Sequence, residues 1–499
     1  MRINRSITAL LFALIAVSSA VGQPPRAAAP VPKSQERRKL PVEVETFLLG
    51  AQLARPEIAA DLLLRVVEAG LVPEQTRKIE LLEEAYRRAA DAQQPLKRRA
   101  WGGMVDTRTG YLSFAYDLKL DALSLQCRAL RLLLPIDGAR ARKLFADIAP
   151  PKLEPLTCAD ALYYDLDDYY DTLREIVKTT FSAKERQQGK HVEFMLPYLD
   201  NMVSPLQVAQ SVRTILALDT TPAQLADLVL AFQLALKKIA GDPRSFTLTV
   251  RYGSVVRGIY DLITTSKKRD AVTGELPQIF RAYLVRNLNA AQCADSVVNV
   301  DKDFAEGGYL KFVNEWLEPP ITPDEVGPRK IEPAAQVDAY WTTPSAKALL
   351  MKYKRLRFGD EEIPPAKGGA DSNVWLQSLT EFLNELEDWR GADERAEADY
   401  FHQKCNLYEA LLEIVPTGPT RSVILSSFVR FLRDNNIQQE SRIEWLLHAN
   451  ALIGRAQAGR DRSPTELLAV MRNSGDTTLR LYAELVDLTH PKPAPTKPR

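Results

Sequence analysis

PAQLADLVLAFQLALKKIAG, residues 222–241, is the stretch on which the fold is read. Leu225, Leu228, Val229, Phe232, Leu236 and Ile239 recur at three- and four-residue steps, so on a helix they line one face. Thr221 stands where a side-chain oxygen caps a first turn. Pro222 fits that turn because its missing N–H would have no partner there, and Gly241 suits a C-terminal stop. Period-two alternation has one main candidate, Ser245 to Tyr252 (Phe246, Leu248, Val250, Tyr252), and the helical pattern that follows favours helix there too.

The same pattern recurs in both directions. From Pro73 to Ala92, Ile79, Leu82, Ala85, Tyr86 and Ala89 share a side, while Glu83 with Arg87 and Glu84 with Arg88 pair across one turn on the other. Capping boxes open further helices at Thr322-Pro323-Asp324-Glu325, Ser441-Arg442-Ile443-Glu444 and Ser463-Pro464-Thr465-Glu466. On the order of fifteen helices with short connections predict an all-α fold, an array of antiparallel helical hairpins, either α-solenoid-like or an irregular multi-helix bundle. A faint echo supports hairpin units of roughly 35–40 residues: Pro56 and Pro73 have the spacing of Pro205 and Pro222, with Ala60 matching Ala209 and Gln75 matching Gln224. Two unrelated hairpins that each begin with proline would look much the same. The tetratricopeptide signature does not fit.

At the N-terminus, Arg2 and Arg5 precede an apolar run, Ile7 to Val17, and then the small residues Ser18-Ser19-Ala20-Val21-Gly22. That is the layout of a secretory signal peptide over 1–22, cut after Gly22 or, alternatively, after Ala20. Residues 23–39 read as a disordered Pro/Ala linker and 490–499 as a disordered tail. The helical pattern breaks from Glu318 to Pro344, where prolines stand at 319, 320, 323, 328, 333 and 344, and again from Gly359 to Ser372. This predicts a larger helical domain over 40–317, a Pro/Gly-rich connection with one basic helix over 318–371, and a smaller bundle over 372–489. Trp101 to Tyr111 reads as a long loop.

A chain that is 45% hydrophobic and 26% charged has the balance of a globular protein. The formal net charge is +1, and loss of Arg2 and Arg5 takes it to −1. Near neutrality gives no long-range pull on nucleic acid or anionic lipid, so no nucleic-acid partner is expected. No segment after the leader is long and apolar enough to predict a transmembrane span. Export permits disulfides among Cys127, Cys158, Cys293 and Cys405. Cys158 and Cys293 share the context Cys-Ala-Asp and form the candidate pair, against the alternative that the thiols are free and buried.

The local runs that could carry chemistry each have a plainer reading. Asp160, Tyr164, Asp167, Asp168, Asp171 and Glu175 fall on one side of a helix, as an acidic solvated face or a cation-binding one. A straight helix spreads carboxylates apart, where a hard cation needs them converging. Asn299-Val300-Asp301-Lys302-Asp303 has calcium-loop spacing, but Phe304 occupies the required glycine position and Leu310 the bidentate glutamate position. Lys347 to Phe358 is basic with interleaved aromatics, a stretch that could meet anionic lipid or polymer, but beside Asp360-Glu361-Glu362 it reads as a charged helix face. His402 and Cys405, with Asp399 one turn before and Asn406 and Glu409 after, could make a nucleophile pair, but the Phe401, Cys405, Tyr408, Leu412 stripe points Cys405 into the core. His191 and His448 have no companion at metal-ligand spacing. No catalytic, cofactor or metal residue is assigned, because none of the metalloprotease, hydrolase-elbow, phosphate-loop or Cys-x-x-Cys motifs is present.

Two functions fit. One is an exported helical-repeat-like scaffold that binds a protein or peptide. The other is an exported α/α-barrel-type enzyme that cleaves a polysaccharide with paired carboxylates.

Overall fold

The structure, a computed structural model, describes residues 40–99, 115–158, 160, 162–248, 252–271, 273–293, 303–304, 308–326, 344–370, 372–390, 397–435, 442–458, 465–473 and 475–489. The leader, the linker, the loop from Trp101 to Tyr111, the tail, and the capping serines Ser441 and Ser463 lie outside them. From Leu40 onward the chain is one compact, all-α unit.

Three helices open it: α1 (Val42–Gln52), α2 (Pro56–Glu68) and α3 (Gln75–Ala90). Next come α4 (Ala122–Leu133), α5 (Gly138–Ala146), α6 (Asp167–Thr179), α7 (Ala183–Gln187), α8 (Lys190–Asp200), α9 (Val208–Leu216) and α10 (Pro222–Lys238). Helices α11 (Ser245–Leu248), α12 (Tyr252–Lys268), α13 (Leu276–Ala290) and α14 (Tyr309–Asn314) complete this half. The second half holds α15 (Pro344–Phe358), α16 (Asn373–Asp388), α17 (Glu397–Ile414), α18 (Pro419–Asp434), α19 (Arg442–Ala458), α20 (Thr465–Asn473) and α21 (Thr477–Thr489).

In the first half the helices stack in two rows. Helices α3, α4, α6, α9 and α12 pack one on the next, and α8, α10 and α13 form a second row against them. The amphipathic faces explain this order. Leu225, Leu228, Val229, Phe232 and Leu236 of α10 are all buried, as their spacing requires. The last helix, α21, packs on α1 and α2, so the two ends of the unit meet. Buried apolar side chains from Val44 to Leu485 form one continuous cluster, and the Pro-rich stretch therefore joins helices that share a core.

Thr221 and Gln224 make a reciprocal capping box at the start of α10. At a short 3-10 turn, Pro323–Val326, only half of such a box is formed: Glu325 Oε2 accepts the Thr322 N–H and hydroxyl, while the Glu325 N–H goes to the Thr322 carbonyl. Ser245 to Leu248 is helical; the rest of that alternating run, 249–251, is outside the described residues.

Two readings change. The helix expected from Asp160 begins only at Asp167. Leu162 and Tyr163 instead pair antiparallel with Arg98 and Arg99, and Asp165 accepts the Asp167 N–H at 2.9 Å at the new start. Gly241 is not the residue that ends α10 either, because the helix stops at Lys238 with Ile239 as its cap. A methyl group there would stand 2.8 Å from Ala290 Cβ and 3.0 Å from Asn287 Oδ1, so it is the close approach of α10's end to α13 that requires glycine.

Candidate functional site

Where α6 meets α8, the two rows leave a cleft of about 240 Å³. Helix α6 contributes Tyr169 and Tyr170, α8 contributes Phe194, Pro197 and Tyr198, and Asn201 follows at its C-terminal cap. Ala146, Ile148, Pro150 and Pro151 after α5 close one side, and Gln207 sits at the back. The aromatic side chains hold one another in place. Phe145 stacks on Tyr169 with centroids 5.2 Å apart, Tyr170 meets Tyr169 edge-on at 5.3 Å, and Phe194 meets Tyr198 at 5.4 Å. Gln207 is fixed because its Oε1 accepts the N–H groups of Val203 and Ser204, while its Nε2 donates to Tyr170 Oη at 3.2 Å. Asn201 donates to Pro197 O at 2.9 Å.

The lining contains no charged side chain. Burial pushes the Tyr170 hydroxyl up to about 12 and raises those of Tyr169 and Tyr198 further. All three phenols therefore stay neutral near pH 7 and can donate hydrogen bonds. Chemically, this surface stacks on flat or ring-shaped apolar groups and offers a few uncharged hydrogen-bonding groups.

The acidic run is dispersed rather than convergent. Asp168 pairs with Arg131 at 2.8 Å and Lys119 at 2.9 Å, and these partners outweigh burial and hold its carboxyl low. Asp171 pairs with Arg174, Asp167 bonds Gln210, and Asp160 caps the turn at Thr157. Of the calcium-like loop, 299–302 lies outside the described residues, and the Asp303 carboxylate receives the N–H groups of Tyr309 and Leu310. In the basic stretch, Lys352 bonds Glu385 and Arg355 bonds Asp360 and Glu362, as on a charged helix face. His191 Nε2 lies 3.1 Å from Asp219 O. Cys158 and Cys293 are disulfide-bonded, with Cα atoms 5.2 Å apart, while Cys127 and Cys405 are free and buried.

A second cluster gives His448 the companions that its sequence reading did not assign. His402 on α17 meets His448 and Glu444 on α19, all three buried. His402 Nδ1 lies 3.1 Å from His448 Nε2 and 3.2 Å from Glu444 Oε1. His448 Nδ1 faces Glu409 Oε1 at 2.7 Å, and Arg455 Nη2 lies 3.3 Å from Glu409 Oε2. Burial, with the nearby Glu444 and Glu409 charges, keeps the Cys405 thiol protonated, so it is no activated nucleophile. Two signals were there to read. Histidine is scarce, at 4 in the chain, and Glu444 with His448 has the one-turn spacing that puts two donors on one helix face.

Comparison of the chain with protein-family models, with curated proteins and with solved structures finds no match.

Proposed function

We propose that the protein is an exported helical binding protein that holds an extended, proline-containing peptide in the aromatic cleft. The lining carries this reading: tyrosine, phenylalanine and proline faces with no charge, and Asn201 and Gln207 as its amide side chains. Proline-rich segments in the polyproline II conformation present ring faces for stacking and leave their carbonyls free to accept hydrogen bonds. Size supports a peptide over a compact small molecule. About 240 Å³ is below the roughly 300–1,000 Å³ of small-molecule sites, so the cleft suits one or two side chains of a longer ligand. The polysaccharide-cleaving alternative calls for two carboxyl groups facing one cleft, and this lining holds none. Export rests on the leader sequence, and a disulfide suits an oxidising compartment. Among the described residues, no helix is long and apolar enough to cross a membrane.

Calorimetric titration of the full chain with a hexaproline peptide and with a Gly-Ser peptide of equal length tests this. Hexaproline is expected to bind, and Phe194→Ala and Asn201→Ala to weaken it by roughly tenfold each, the loss of one stacking or hydrogen-bonding contact. Equal, weak responses to both peptides would remove the proposal.

A further inference from the structure

The His402, His448, Glu444 cluster lies on helices outside the aromatic cleft, and its reading does not depend on peptide binding. Helices α17 and α19 bring the three side chains together from positions 402, 444 and 448. One donor atom from each lies within 4.8 Å of the other two. His402 is 4% exposed, and Glu444 and His448 2% each, so no water-facing role explains the grouping.

We propose that His402, His448 and Glu444 bind a divalent transition-metal ion of the zinc type, with Glu409 as the positioning residue for His448. The donor set comes first. Two imidazoles and one carboxylate suit zinc and its first-row neighbours, whereas calcium and magnesium ask for more oxygens than converge here. The spacing comes second. Donors bound to one tetrahedral zinc at about 2.0–2.1 Å stand about 3.3 Å from each other. The contacts from His402 Nδ1, 3.1 Å to His448 Nε2 and 3.2 Å to Glu444 Oε1, are close to that value.

The orientation of His448 comes third. A histidine ligand typically donates its other ring N–H to a carboxylate, which fixes the tautomer and aims the remaining lone pair. Glu409 Oε1 at 2.7 Å from His448 Nδ1 is placed for that role, leaving Nε2 directed at His402. Arg455 in turn anchors Glu409, through Oε2 and through its backbone carbonyl. Three protein donors leave a fourth position for water or another ligand. A network of shared protons would give similar distances, and the experiment separates the two.

The untagged full chain is stripped with chelator, then loaded with zinc or cobalt(II). The expected result is one tightly held metal ion per chain, a raised melting temperature and the visible absorption bands of tetrahedral cobalt(II). His448→Gln and Glu444→Gln should keep the helical circular dichroism and lose the ion. Glu409→Gln should weaken binding about 10–100-fold without abolishing it, and His191→Gln should change nothing. Stripped wild-type chain that takes up no more metal than His448→Gln would overturn the site and leave a proton-sharing network. Should His448→Gln fail to fold, X-ray absorption on the cobalt-loaded wild type decides. Scattering from two imidazoles supports the assignment, and its absence overturns it.

Discussion

Asp121 shows how one residue can serve a helix and still strain it. Its Oδ1 accepts the Ser124 N–H at 2.8 Å, capping α4, while its Oδ2 is buried with no hydrogen-bond partner among the described residues. Burial, only partly offset by the Ser124 N–H, pushes its pKa up to about 6. The fold thus prefers the protonated acid. That preference adds stability below the ordinary carboxylate pKa and is lost as pH rises through about 6. Asp121→Asn keeps the capping oxygen and removes the buried charge. Its urea midpoint should exceed the wild type's at pH 8 by the equivalent of roughly 2–3 kcal/mol, with the gap closing near pH 4. A gap that does not depend on pH would mean that Asp121 is not the titrating group. At this scale, the sequence showed the histidines and acids but not their neighbours. His402 and His448 meet only because two helices cross.

Among the elements, helix faces follow from spacing and helix ends follow from contacts. The apolar stripe of α10 and its Thr221–Gln224 box are properties of neighbouring residues, and both are found as the spacing demands. Gly241 is different, because its reason lies on α13, beyond any local pattern. Gly241→Ala should cost about 1–3 kcal/mol of unfolding free energy, as overpacking does, because neither Ala290 nor Asn287 has a long flexible end to move aside. A midpoint equal to wild type would show that the helix ends can separate without loss. The start of α6 failed to show in the sequence for a similar reason. Asp160 and Tyr164 fit a helical pattern with the residues after them, yet Leu162 and Tyr163 between them pair with Arg98 and Arg99, far away in the chain.

Across the whole molecule, an ion cluster ties the ends together. Asp61 of α2 is fully buried, bonded by Arg65 at 2.8 Å and Arg128 at 2.6 Å, and it accepts the Tyr482 hydroxyl from α21. Burial alone would raise its pKa, but Arg65, then Arg128 and Tyr482, outweigh burial and hold it below the usual range. Its contribution is therefore present above the ordinary carboxylate pKa and falls away as pH drops. Asp61→Ala leaves Arg65 and Arg128 facing a buried gap and should cost about 3–5 kcal/mol. Hydrogen exchange should then quicken first in α21. Exchange that stays slow there would show that apolar packing alone holds the last helix. The disulfide acts at the same scale, linking positions 135 residues apart, the end of α13 to the segment before Leu162.

By itself the sequence determined that the protein is helical, and it marked the buried faces of α3 and α10. Those features follow from a 3.6-residue period and from capping groups within three or four positions of one another. It also paired Cys158 with Cys293 as a candidate, through matching neighbours rather than any spatial evidence. Only the tertiary structure decided which helices are adjacent, and with that the aromatic cleft between α6 and α8 and the meeting of His402, His448 and Glu444. The physical reason is that a local pattern says where a helix must hide its apolar side, not which other helix will cover it. The groups that come together when it is covered are set by packing across the whole chain.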